Sequence, residues 1–154
     1  MTVLTAVDVD QPPHQSIGVG YDLATTYDEP LLVDYVMPDE EFDRRQRNRD
    51  AELPEEFETY TLDTASDTAA ELAADAVDET LDHYDSERIV TRGSGGLPSD
   101  VIIEIIEEVD PRYVVVGGRK RSLAKQAIFG SVSQAIIRNV EQPVVTIMEA
   151  SESE

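Results

Sequence analysis

The sequence predicts an α/β protein, a single-domain open five-stranded parallel sheet with helices on both faces, and three observations carry that reading. Leu31 to Met37 is a strand-length apolar run, and Arg112 to Gly117 (RYVVVG) is continuously apolar, as a strand covered on both faces is. Between them lie longer stretches whose apolar residues recur at helical spacing. No internal repeat is present, and 154 residues suit one core that buries roughly two thirds of the surface of the unfolded chain.

In chain order, Thr2 to Val7 (TVLTAV) reads as a short buried strand closed by Asp8, with Asp10 close behind. Pro12 and Pro13 suit a helix start, and Ile17, Tyr21 and Ala24 keep helical spacing to about Thr26. Gly18 and Gly20 resemble a fragment of a dinucleotide fingerprint, but they lie well past the strand and Leu23 stands where a third glycine belongs, so close helix packing is the better reading. Leu31 to Met37 is the second strand, closed by Pro38. Residues 39–58 form a polar insert in which Arg44, Arg45, Arg47 and Arg49 share the window with nine acids, a pattern of a solvated segment rather than a nucleic-acid patch. Leu62, Ala65, Ala69, Leu72, Ala76 and Leu81 mark one face of a long helix reaching Tyr84.

Glu87 to Arg92 reads as the third strand and Gly93 to Pro98 (GSGGLP) as a glycine-rich turn without the Lys and Ser or Thr of a P-loop. Ser99 is expected to cap the next helix, whose Ile102, Ile105, Ile106 and Val109 form a core-facing stripe. Arg112 to Gly117 is the fourth strand and Gln142 to Met148 the last. The domain thus covers residues 1–148, and Glu149 to Glu154 is an acidic, frayed tail.

The 33 Asp and Glu against 12 Lys and Arg leave a net charge of -21, with Lys120 and Lys125 the only lysines. Such a surface stays hydrated in concentrated salt and suggests a halophilic, acidic protein; the same field disfavours nucleic acid and anionic membranes. No run is long enough to span a membrane and no secretory signal is recognisable, so a cytoplasmic location is expected. The absence of cysteine removes disulfides, thiolate metal sites and Cys nucleophiles. His14 and His83 lie far apart in polar surroundings, and no nucleophile with a base can be named, so no catalytic residue is assigned.

One basic island interrupts this acidity: Arg119, Lys120, Arg121 and Lys125 fall between the fourth strand and a helix opening at Gly130 and Ser131. Ligands in open parallel sheets bind beyond the carboxyl ends of strands where the order reverses, which points to the turns holding Asp8 and Gly117. Glycines and a helix N-terminus there can aim backbone amides at an anion. Ser131 and Gln134 also match a capping box, in which Ser131 would serve its own helix. Asp8 can equally be a turn residue.

Asp8, the apolar second strand, the Gly96-Leu97-Pro98 step and the final block together resemble the universal stress protein family. Its ATP-binding members carry Gly, two residues, Gly, nine residues, Gly, then Ser or Thr; here Gly117 is the first glycine, Gly130 with Ser131 ends the pattern, and Lys120 stands at the middle glycine. The resemblance implies a small dimeric α/β domain that binds ATP, with Mg or Mn as companion ion; with no base or nucleophile to be named, hydrolysis is expected to be slow or absent. It implies that Val7 and Asp8 line the adenosine pocket, Val36 and Val116 form its apolar walls, and Gly117, Gly130, Ser131, Val132 and Ser133 face the phosphates. Arg119 and Lys120 would add cations, or Lys120 would close the phosphate site and leave a nucleotide-free interaction module. Dimerisation is expected through Pro143 to Met148.

Overall fold

The computed structural model describes residues 1–7, 15–37, 40, 42–44, 47, 62–120, 127–128 and 131–150. Strand β1 (Val3–Ala6) leads to helix α1 (Gln15–Tyr27) and β2 (Leu31–Met37). Helix α2 (Leu62–Thr80) and a 3-10 turn (Ser86–Arg88) precede β3 (Ile89–Gly95) and α3 (Pro98–Val109). The chain then runs through β4 (Tyr113–Lys120), the two-residue β5 (Ala127–Ile128), α4 (Ser131–Asn139) and β6 (Val144–Ala150).

The sheet order is β3-β2-β1-β4, with β6 beyond β4, and all five of these strands are parallel. The expected architecture is therefore the observed one, with β5 added as an antiparallel pair to the end of β4. Alternate residues of each strand serve two cores. On one face Val3, Leu31, Val33, Tyr35, Met37 and Val115 pack with Ile17 and Ala24 of α1 and with Ala69, Ala73, Ala76 and Val77 of α2. On the other, Leu4, Leu32, Val36, Val114 and Val116 pack with Ile102, Ile105 and Ile106 of α3 and Ile136 of α4. Side chains alternate across a strand, so β1, β2 and β4 feed both layers and their buried stretches read as largely apolar runs. Thr5 joins this interior because its Oγ1 donates to the Val115 carbonyl at 3.0 Å.

Strand ends depart from the sequence expectation, and the departures share a cause. Gly93 to Gly95 belong to β3 rather than to a turn, because the whole run from Ile89 pairs with β2. Gly117 and Gly118 lie inside β4, which continues to Lys120, and Glu149 and Ala150 continue β6 instead of fraying, because Arg119 and Lys120 pair with them. Pairing with a neighbouring strand overrides weak local propensity. Ser99 does not cap α3: the N-cap is Leu97, without a side-chain cap, and Pro98 opens the helix at a position where its missing N–H costs nothing. The helix expected to reach Tyr84 ends at Thr80. Residues 8–14, most of the polar insert and residues 151–154 lie outside the described residues, and with them Asp10, Pro12, Pro13, His14, Arg45 and Arg49.

Two local devices hold the layers in place. Helix α1 ends with Asp28 in the left-handed region (φ 53), and the Glu29 amide reaches back to the Ala24 carbonyl at 2.8 Å. Arg88 gathers this turn, donating to the carbonyls of Ala24 and Glu29 and to Asp28. Arg112 donates from Nε and Nη2 to one oxygen of the buried Glu29, at 2.8 and 2.6 Å, and lies over the Tyr27 ring. The Arg112 hydrogen bonds are the main reason the Glu29 carboxyl is held below its usual range.

The second device is Gly93. A Cβ there would lie 2.1 Å from the Ser66 carbonyl and 2.2 Å from the Ala70 amide, so α2 packs its backbone directly on β3. A Cβ at Gly18 of α1 meets nothing within 4 Å.

Gly93→Ala is expected to cost about 3 kcal/mol or more in urea unfolding, because backbone atoms must move apart. Gly18→Ala is expected to stabilise by roughly 0.5 to 1 kcal/mol. Glu29 has a lowered native pKa, so its contribution is present above the unfolded value of 4.5 and is lost as pH falls through the lower native value. Thermal melts should therefore show wild type losing more stability than Glu29→Gln between pH 6 and about pH 3.5.

Candidate functional site

The site is built by unequal strand lengths. Strand β1 stops at Ala6, whereas β2 continues to Met37 and β4 to Lys120. The Val7 amide still reaches the Asp34 carbonyl at 2.9 Å, and beyond it the sheet loses its middle strand. This gap is also where the order reverses: β2 and β3 lie to one side of β1, β4 and β6 to the other. Because β6 pairs along β4 from Val114 to Lys120, the residues of β5 take the side that β1 leaves empty.

Several of the expected site residues meet here. Val36 (7% exposed) and Val116 (1%) share the apolar cluster beneath α3 and α4, and Val132 packs against it. Gly117 sits one residue beyond Val116, and the Ser133 Oγ donates to its carbonyl at 3.1 Å, which ties the first turn of α4 to β4. Among the described residues, a Cβ at Gly117 would meet nothing within 4 Å, so they leave space beside that backbone. Helix α4 begins next to this space, and the first amides of a helix lack intrahelical partners and carry the positive end of its dipole.

Other expectations are not met, or fall elsewhere. Val7 is buried, but it packs into the opposite cluster, with α1 and α2, and does not join Val36 and Val116. Arg119 and Lys120 are strand residues, and Lys120 pairs with Ala127 of β5 on one side and Ala150 of β6 on the other. The position of the family's middle glycine is thus fixed in an extended strand rather than in a turn. Asp8 and Gly130 lie outside the described residues, as does the side chain of Ser131 that was expected to cap α4. His83 is exposed.

Sequence reasoning missed Asp34. It occupies β2 level with Ala6 of β1 and Arg92 of β3, and its side chain is fully buried with no hydrogen-bond partner for either oxygen. Burial raises its pKa to about 7, with the nearby Arg92 acting in the opposite direction. The available signal was a carboxylate inside the run LLVDYVM, where a strand buried on both faces has no place for a charge.

A family model for the universal stress proteins matches residues 1–147. The chain belongs to that family. No curated protein matches it. Among solved structures, a universal stress protein from Archaeoglobus fulgidus is 24% identical, with 96% of this chain and 98% of that one covered and a TM-score of 0.53. A family member from Burkholderia pseudomallei is 15% identical over 95% and 94% of the two chains, with a TM-score of 0.57. A universal stress protein in complex with cAMP is 17% identical over 96% and 95%, with a TM-score of 0.54. At these identities the likeness is one of fold: the five-stranded parallel universal stress protein sheet. No described helix is long and apolar enough to cross a membrane.

The Ser133 link should be visible in stability. Ser133→Ala is expected to lower the unfolding free energy by about 1 kcal/mol in denaturant titration, the worth of a part-buried hydrogen bond, without changing the circular dichroism of the native state.

Proposed function

We propose that this universal stress protein binds an adenine nucleotide, ATP with Mg or Mn, in the gap beyond β1. The observation that carries the reading is the open space at Gly117, flanked by the first turn of α4 and lying where the strand order reverses. Val36 and Val116 would bound the base, and Asp8 would accept from the base or ribose. The amides of Gly130 to Ser133 would meet the phosphates, as helix N-termini meet anions generally. Arg119 and Lys120 would supply cations in a chain that otherwise repels anions. A universal stress protein of the same fold is in complex with cAMP, which supports the assignment.

The role is binding rather than turnover, with hydrolysis slow or absent, in a cytoplasmic signalling or protective protein adapted to concentrated salt. The acidic surface supports that last element. A homodimer formed through Pro143 to Met148 fits the sheet, since among the described residues β6 pairs only with β4 and presents its outer edge.

A second reading is favoured by one observation. Lys120 has strand partners on both sides, so the backbone at the middle-glycine position is not free to fold around a phosphate. In that reading the protein is a nucleotide-free dimeric module.

Calorimetric titration with MgATP in molar potassium chloride separates the two. Saturable heat with wild type, and at least a tenfold loss (about 1.4 kcal/mol) in Gly117→Ala at unchanged melting temperature, is expected for nucleotide binding. No heat and no thermal shift at millimolar nucleotide would establish the second reading. Tighter binding by Lys120→Gly identifies that side chain as an obstruction, and weaker binding identifies it as a phosphate contact.

A further inference from the structure

Asp34 is the described residue whose chemistry the fold leaves unexplained. Its side chain is fully buried, and both carboxylate oxygens lack a partner. Its surroundings on that face are apolar: Leu32 and Val36 on its own strand, Ala6 on β1, Ile102 and Ile105 from α3 and Ile136 from α4. One cation stands beside it. Arg92 is its register partner on β3, and parallel partners present their side chains to the same face.

Arg92 is turned toward another acid. Its Nη2 lies 3.9 Å from Glu108 Oε2 in the last turn of α3, the outer limit of an ion pair, and both side chains are substantially exposed (41% and 69%). The remaining acids of α3, Asp100, Glu104 and Glu107, are exposed. Exposed pairs at this separation contribute little, so the guanidinium loses little by leaving Glu108. An ionised carboxylate buried without a partner is costly, and the nearest cation relieves that cost.

We propose that Asp34, Arg92 and Glu108 form a proton-operated latch at the β3 edge: Arg92 pairs with Glu108 while Asp34 is protonated and turns inward to Asp34 when the proton leaves. The inward turn releases Glu108, so the Arg92 contact with α3 is made only while Asp34 is protonated. The carboxyl titrates in the range where such a device is useful, since burial raises it to about 7 against the opposing influence of Arg92. The latch stands whether or not the gap takes a nucleotide.

The test is a carbon-13 carboxyl NMR titration of the full chain from pH 5 to 9, with the Arg92 Nε–H signal followed in parallel. Wild type should show an Asp34 midpoint near 7 and an Arg92 step at the same pH. Glu108→Gln frees Arg92 and should lower the Asp34 midpoint; Arg92→Gln should raise it; Asp34→Asn should abolish the Arg92 step. Asp34→Asn removes the buried charge and keeps the shape, so it serves even if Arg92→Gln does not fold. An Asp34 midpoint below pH 5 overturns the latch. So does a midpoint that moves in Glu108→Gln while wild-type Arg92 shows no step, since that is a through-space effect without a moving guanidinium.

Discussion

The brevity of β1 is the constraint on which the rest depends. A four-residue strand lies between seven- and eight-residue neighbours, so the sheet is closed at one end and forked at the other. At the closed end, Arg112 joins the loop after α3 to Glu29 and Tyr27, and the Arg112 amide donates to the Thr2 carbonyl at 2.7 Å. At the forked end the helices that leave β1 and β4 can present amides and small residues to a ligand. The polar chemistry of the two ends differs for this reason: one is joined by the Arg112 to Glu29 ion pair, and the other has space beside a glycine.

Layer packing makes the fork rigid. The direct seating of α2 on Gly93 braces β3, which pairs with β2 on one side of the gap, and the Ser133 to Gly117 hydrogen bond ties α4 to β4 on the other. The exception is the row through Asp34, where a buried carboxyl without a partner is a point of electrostatic stress in an otherwise apolar layer.

Much of this was legible in the sequence, for a physical reason. Strands buried on both faces must be apolar throughout, so Leu31 to Met37 and Val114 to Val116 announced themselves, and the isoleucines of α3 marked their own face. What was not legible depended on partners distant in sequence. Arg119 to Lys120 and Glu149 to Ala150 have no strand propensity worth reading, yet they are strands because they pair with each other. Val7 is assigned to its layer by the register of β1, which the sequence does not display. Gly93 looked like a turn residue, although its conformational freedom is not what is used; the absence of a Cβ is. Asp34 was hidden by the apolar run around it. For the candidate site, Val36, Val116, Gly117, Val132 and Ser133 were found from the resemblance and are gathered by the fold, while Lys120 changed meaning once its backbone proved to be paired on both sides.

The central claim is that the gap beyond β1 is where this protein meets its ligand. Backbone amide chemical shifts recorded during a titration with MgATP in molar potassium chloride test it most directly. The account predicts that the largest shifts fall on Val36, Gly117, Gly118, Val132 and Ser133, at the forked end of the sheet. Shifts confined to the closed end, at Asp110, Arg112 and Gln142, or no shifts at saturating nucleotide, would contradict it.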